Sequence, residues 1–328
     1  MANPTQSAIH VNAPLTNISV AYLQSETSFV AGRVFPTVPV AKQSDLYYTY
    51  ERGEFNRNGM KKRAAGTESA GGGYKVDRAP YYCDVWALHK DVADQQRSNA
   101  DTVIQLDREA AEWLSQQALI AREVEFATNY LAAGAWTFEY TGVSGVPAAG
   151  EARYWNEDLS DPIKDIRVAM TEQQKATGRR PNTIVMGREV FDVLIDHPEL
   201  VDRVKYGTQN QVSTVDVNEL RSLWKIERVF VMDGIENLAQ EGQAEDNAFI
   251  SGKSLLLCHA APRPGLMTPS AGYDFRWTGL IGSTDGTGAT TSKFRMDTIK
   301  SDRIELEMAF DLKQVSADMG TLFDGIVE

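Results

Sequence analysis

Cysteine and histidine are scarce in this chain of 328 residues: two cysteines, Cys83 and Cys258, and four histidines, His10, His89, His197 and His259. The cysteines lie far apart and neither belongs to a C-x-x-C pair, so neither a disulfide framework nor a metal knuckle is indicated. Both sit in apolar, strand-like stretches and are expected as buried free thiols of a reducing compartment. No two histidines have the i, i+4 spacing of a helical metal pair. His197, in Asp196-His197-Pro198, is expected to end or cap a helix. No G-x-S-x-G elbow announces a hydrolase nucleophile. The glycine loop from Gly282 to Gly288 lacks the Lys-Ser/Thr that a phosphate cradle needs, and is expected as a flexible surface loop. No apolar run approaches the roughly 18 residues of a membrane span. The N-terminus is polar and broken by Pro4 and Pro14, so no signal peptide is expected. A soluble protein, cytosolic when made, is the expectation.

Positive charge is also in deficit. Lys and Arg number 33 against 45 Asp and Glu, a net charge of -12. A sequence-specific nucleic-acid binder is normally basic in its binding domain. If this chain encloses nucleic acid, it does so as a container whose wall repels phosphate. Hydrophobic content of 42% and charged content of 24% are those of a folded protein with room for two domains.

What is present comes in three unlike pieces before residue 135. Residues 1 to about 40 read as an extended arm. Pro14, Pro36 and Pro39 push the preceding residues towards extended geometry and remove ladder donors. Val20, Leu23, Phe29 and Val34 are scattered anchors for another surface, in this subunit or the next. The stretches 45–52 and 74–88 are aromatic and β-prone, and predict a long hairpin. Its polar tip holds Arg57, Lys61, Lys62, Arg63 and the glycines 71–73. From Glu51 to Arg63, five basic residues stand against two acidic, a local +3 in an acidic chain. The third piece is a helix expected over 98–133, about 50 Å long at 1.5 Å per residue, with Asp101 near its positive end. Apolar residues recur at Val103, Leu106, Ala110, Trp113 or Leu114, Ile120, Val124, Ala127 and Leu131. The acidic residues Asp107, Glu109, Glu112, Glu123 and Glu125 are assigned to the other, solvated or subunit-facing side. Gly134 is its expected stop.

An α/β pattern follows the Gly/Ala-rich loop from Gly142 to Gly150. Pro162 opens a helix that Gly178 stops. Further elements are a strand at 180–187, helices on either side of His197-Pro198, a helix at 217–224, and strands at 227–232 and 253–258. Ile304, Leu306, Met308, Phe310 and Leu312 alternate as a half-buried strand. No convergent set of polar groups points to an enzyme.

Four stretches carry a family resemblance. They are Arg33-Val34-Phe35-Pro36-Thr37-Val38-Pro39-Val40-Ala41-Lys42-Gln43-Ser44 with Tyr47-Tyr48-Thr49-Tyr50 after it; Gly66-Thr67-Glu68-Ser69; the long helix; and Thr177-Gly178-Arg179-Arg180-Pro181-Asn182 leading to His197-Pro198-Glu199-Leu200. In this order the chain resembles a tailed-bacteriophage major capsid protein. The resemblance implies an α+β, Hong Kong-type capsid fold. Its parts would be an N-terminal arm (1–43), an extended E-loop (44–88), a peripheral P-domain (89–150 and 301–328) built on the spine helix, and an axial α/β A-domain (151–300). It implies no cofactor and no membrane partner. Copies of the chain would form pentamers and hexamers of an icosahedral shell around double-stranded DNA, assembled in the bacterial cytoplasm, with scaffolding protein, portal and decoration protein as partners. The chain starts directly with the arm, so the expectation is either a separate scaffolding protein or an N-terminal scaffold segment that has been removed. Within that scheme the charge pattern names the interface candidates: Arg52, Arg57, Lys61, Lys62 and Arg63 of the E-loop, and Asp107, Glu109, Glu112, Glu123 and Glu125 of the spine. An encapsulin-like shell around protein cargo is the alternative with the same fold.

Overall fold

The computed structural model describes residues 23–100, 105–207, 215–279 and 288–328. The first half runs α1 (Ala31–Val34), β1 (Thr37–Val40), β2 (Ser44–Tyr50), α2 (Arg52–Phe55), β3 (Val76–Tyr82), β4 (Asp84–Ala93), α3 (Asp94–Asn99) and α4 (Leu106–Tyr130). Then come β5 (Phe138–Val143), β6 (Glu151–Arg153), α5 (Pro162–Thr177), β7 (Thr183–Gly187), α6 (Arg188–Asp196), α7 (Pro198–Gly207) and α8 (Val217–Trp224). The remainder is β8 (Arg228–Met232), β9 (Ile235–Asn237), β10 (Asn247–Phe249), β11 (Leu255–Cys258), β12 (Gly272–Trp277), β13 (Ala289–Met296), β14 (Ser301–Gln314) and β15 (Gly320–Asp324).

Two sheets organise the body. One has strand order β1-β12-β14-β13, with β4 pairing the other edge of β14. The second has order β6-β5-β15-β11-β7-β8. Its middle strands are buried on both faces, as continuous runs such as Ile184-Val185-Met186 and Leu255-Leu256-Leu257 require. Alternate residues serve two cores. Ile184, Met186, Leu255, Leu257 and Phe323 face α5, α6 and α8 through Ile163, Ile166, Val190, Leu194 and Trp224. Val185, Leu256 and Leu322 face the other way, to Phe126 and Tyr130 of α4 and to Phe35. The alternation read in β14 holds: Ile304, Met308, Phe310 and Leu312 are buried, and Leu306 is partly buried against Ala110 and Leu114.

Local signals explain several boundaries. The Asp161 side chain accepts from the Lys164 amide at 2.8 Å at the start of α5, Pro162 follows it, and Gly178 closes the helix at φ 72°. Asp216 and Glu219 form a capping box on α8.

Two expectations need correction, and one open alternative is decided. The spine is not one helix over 98–133. A short α3 ends at Asn99, Ala100 is extended, and α4 runs only from Leu106 to Tyr130, 25 residues or about 37 Å. Asp101 and Val103 lie outside the described residues, as does most of the loop 282–288. Gly134 (φ 89°) sits in the turn beyond the helix. Leu114 takes the buried position and Trp113 is 38% exposed. The arm described from Leu23 onward is seated on its own subunit: Val30, Ala31, Val34 and Phe35 are buried, and β1 pairs parallel with β12. Sheet membership also ignores the boundaries at 150 and 300. β12 and β13 pair within the sheet of β14, while β15 joins β5 and β11 in the other. β4, inside the span assigned to the E-loop up to residue 88, is laddered to β14.

Candidate assembly surfaces

The predicted hairpin is present as β2 and β3, in register from Ser44 opposite Tyr82 to Tyr50 opposite Val76. Period-two geometry gives it two faces. Tyr47 and Tyr81 point inward onto Phe275, with ring centroids 5.7 and 4.6 Å away. Leu46, Tyr48 and Val76 point outward and are about half exposed. At the distal end the rings of Tyr50, Phe55 and Tyr74 meet at 5.3 to 6.1 Å. A two-stranded ribbon is marginal alone in water, and the outward face of this one, apolar apart from Arg78 over the Tyr48 ring, is left largely exposed by the described residues.

The five basic residues are on this distal part. Arg52 pairs with Asp318 at 2.7 Å, and Arg57 lies 3.8 Å from Glu54. Arg63 donates to the Thr67 carbonyl. Lys61 and Lys62 are exposed.

The acidic residues of α4 do not form one face. Glu109 and Glu112 are exposed, Glu112 accepting from Arg108 at 2.8 Å. Glu125 is half-buried and accepts from Asn129. Asp107 belongs to an ionic network that fastens α3 and α4 to β13 and β14: it pairs with Arg97 and Lys293, both at 2.7 Å. In that network Arg97 and then Arg295 hold the Asp302 carboxyl down to about 2. Glu123 is a correction. It is fully buried, and its carboxylate accepts from the amides of Val30 (3.0 Å to each oxygen) and Ala31 (2.8 Å). It fastens the root of the arm to the spine. Burial raises its pKa, against the lowering effect of those amide bonds.

Two features escaped sequence reading. The first is a buried knot at Asp274, fully buried, which takes Arg122 of α4, Arg276 at 2.9 Å and the Thr37 hydroxyl at 3.3 Å. It joins arm, spine and sheet. The second is an apolar strip beside α4. Trp86 and Leu88 stand opposite Met308 and Leu306 on the helix side of the sheet, yet remain 38% and 40% exposed. Lys90, two residues along, sits over the Trp113 ring at 5.6 Å.

The chemistry-bearing groups have structural roles here. His197 follows α6, contacts the Ser160 hydroxyl at 3.1 Å and accepts the Glu199 amide on Nδ1 at 3.3 Å, and burial lowers its pKa. Cys83 and Cys258 are free and buried, and burial pushes both thiols up to about 12. Among the described residues no His/Cys/Asp/Glu cluster could hold a metal ion, and no helix is long and apolar enough to cross a membrane.

Similarity to known proteins bears on these surfaces. No family model matches the chain. It is 23% identical over 229 residues to the major capsid protein of Burkholderia phage BcepMu, covering 69% of each chain. It is 25% identical over 243 residues to that of Pseudomonas phage JBD67, covering 71% of this chain and 72% of the relative. A phage-related protein from Bordetella bronchiseptica RB50 superposes with a TM-score of 0.66 at 20% identity, over 92% of this chain and 94% of that one. A chain of the mature capsid of bacteriophage PhiM1 gives 0.60 at 14% identity, over 96% and 92%. The chain is a structural protein of the phage-capsid type. Its fold is the Hong Kong-type capsid fold, in the α+β class. That fold is also found in an encapsulin complex from Synechococcus elongatus PCC 7942, with TM-score 0.55 at 12% identity, over 100% of this chain and 97% of that one. In a capsid-type chain, function resides in surfaces, and the exposed hairpin and the flank of the spine are the candidates.

Proposed function

We propose that this chain is the major subunit of a phage virion shell, assembling as pentamers and hexamers into an icosahedral container for double-stranded DNA. The observation that carries the reading is the hairpin: an apolar outer face and a basic tip, uncovered, on an otherwise acidic body. The segment 23–43 acts as the arm, β2–β3 and their tip as the E-loop, the sheet of β14 with α4 as the peripheral unit, and the six-stranded sheet as the axial unit. Arg52, Arg57, Lys61, Lys62 and Arg63 approach the exposed Glu109 and Glu112 of a neighbour, with Asp107 and Glu125 beside them. Such charges steer and register subunits more than they add affinity. The acidic wall encloses DNA without reading its sequence. Scaffolding protein, portal and decoration protein are the expected partners in the bacterial cytoplasm, and the chain performs no catalysis and takes no cofactor.

Negative-stain electron microscopy of the purified protein, alone and co-expressed with its neighbouring genes, tests this. Closed shells tens of nanometres across are expected. Small monodisperse particles in every condition would overturn the reading. The encapsulin-like alternative rests on the shared fold, and the contents decide it: nuclease-protected DNA supports the virion, packaged protein the compartment.

A further inference from the structure

Charge is not spread evenly over this acidic chain. Three segments distant in sequence, 179–182, 225–228 and 259–263, meet at one end of the six-stranded sheet, where β7 and β8 begin and β11 ends. Hydrogen bonds join them. The Asn182 carbonyl accepts from the amides of Glu227 (3.2 Å) and Arg228 (3.1 Å). The Asn182 side chain donates to the Ala260 carbonyl and accepts from the Ala260 amide, both at 2.9 Å. The Arg228 guanidinium donates to the Ala260 carbonyl at 3.1 Å, and the His259 ring stands 2.9 Å from the Arg180 carbonyl. Together the segments hold Arg179, Arg180, Lys225, Arg228 and Arg263 against Glu227 alone, a local +4 in a chain of -12.

Arg179, Arg180, Lys225 and Arg263 are exposed. Arg179, Lys225 and Arg263 form no salt bridge among the described residues. By contrast, Arg97, Lys293 and Arg295 elsewhere on the surface are all held by carboxylates. Helix ends account for part of this charge: Arg179 follows α5 and Lys225 caps α8, where cations suit the C-terminal carbonyls. Arg263, in the loop after β11, follows no helix. His259 reports the local field. Burial lowers its pKa, the Arg180 carbonyl and Glu227 raise it, and Arg179 and Arg228 lower it further. The three segments carry no Phe, Tyr or Trp on which unpaired bases could stack. Arginine forks, however, match phosphate oxygens.

We propose that this end of the sheet is a seat for the phosphate backbone of duplex DNA, bound by charge and without regard to sequence. The proposal goes beyond the shell reading and rests on it for the source of the DNA. A surface that is acidic on average repels phosphate, so a local cationic seat fixes which part of the subunit a duplex approaches. Phosphate contacts of this kind position a duplex and carry no sequence information.

The test is binding of a short fluorescent duplex to the purified subunit across a salt series. Four exposed cations on four phosphates give a slope of log affinity on log salt of about -3.6, the same for duplexes of different sequence. Arg179→Gln/Arg263→Gln should halve that slope to about -1.8 and weaken binding to all sequences alike. Both side chains are exposed, and circular dichroism confirms the fold. Lys61→Gln/Lys62→Gln removes the same charge from the hairpin tip and should leave the slope unchanged. In nuclear magnetic resonance titrations the His259 ring should hold its proton to higher pH when the duplex is bound, because a nearby phosphate favours the imidazolium. Three results would overturn the proposal: no duplex binding at low salt, an equal loss from the tip variant, or a poly-glutamate peptide that binds as tightly as the duplex, which would make an acidic protein the partner. Each leaves the shell reading standing, since electron micrographs test that separately. Duplex binding by a chain that never forms shells would remove the shell reading and keep the seat.

Discussion

The hairpin β2–β3 and the six-stranded sheet are written in the same aromatic and aliphatic residues, and they end in opposite environments. In the sheet, Tyr140 and Trp155 lie 4.9 and 5.4 Å from Phe323, under helices that cover the strands. In the hairpin, Tyr50, Phe55 and Tyr74 meet at similar spacings, and among the described residues no helix covers them. The difference lies in connectivity. In the sheet, β6 leads into α5, β7 lies between α5 and α6, and β8 follows α8, so helices pack back onto it, while the hairpin strands are joined by a long polar tip that supplies no cover. Identical side-chain chemistry therefore makes a core in one place and an unfinished interface in the other. The sheet should govern stability and the hairpin should govern association.

The strongest way to break that comparison is deletion of residues 55–72. A folded monomer is expected, with shell assembly abolished or distorted in electron micrographs. Normal shells would end the distinction. On the other side, Gly320→Ala should strike stability. A Cβ there would stand 2.1 Å from Cε3 of Trp136, a buried ring whose Nε1 donates to the Tyr130 carbonyl at 2.7 Å. Overpacking of this kind costs about 1–3 kcal/mol or more, and a denaturant titration should show it. The same glycine in the hairpin, Gly53 or Gly59, has nothing within 4 Å, so alanine there should leave the midpoint in place.

Glu123 tests where the arm belongs. Glu123→Ala leaves the Val30 and Ala31 amides buried without their acceptor, a loss of about 1–3 kcal/mol. Glu123→Gln keeps an acceptor and should lose less. The pH dependence has a definite sign. A carboxyl whose pKa is raised on folding binds its proton more tightly in the native state, so stability falls as pH rises from its ordinary value through the raised one. The glutamine variant should lack that slope, and urea midpoints across mild acid would reveal it.

Much of the axial half is legible in the sequence because its signals are local. Asp161-Pro162 and Gly178 bound α5, His197-Pro198 separates α6 from α7, and β14 announces itself by alternation. Sheet membership is not local. Nothing near Gly272 or Ala289 says that β12 and β13 join β14, or that β15 crosses to β5 and β11. The candidate surfaces divide in the same way. The basic tip is visible as a charge run, whereas the acidic face of α4 dissolves because Asp107 is neutralised by neighbours distant in sequence and Glu123 turns inward. A signal for Glu123 did exist: it stands three and seven residues before Phe126 and Tyr130, on the buried stripe. The strip beside Trp113 needs the register of β4 on β14, which only the folded sheet supplies.

The smallest expected effect sharpens the comparison most finely. Within one subunit the hairpin tip is tied to the body by Arg52 and Asp318, a pair at 2.7 Å whose side chains are 45% and 35% exposed. An ion pair in that setting contributes about 0–1 kcal/mol and weakens with salt. Arg52→Ala should therefore leave the unfolding midpoint of the body within error, while hydrogen exchange speeds up in β2 and β3 and stays slow in β7 and β11. High salt should speed hairpin exchange in the wild type and change little in the variant, since the ionic tie is then absent from both. A midpoint shift as large as that of Gly320→Ala would mean that hairpin and body unfold as one unit, and that the hairpin contributes to the fold as well as to its partner.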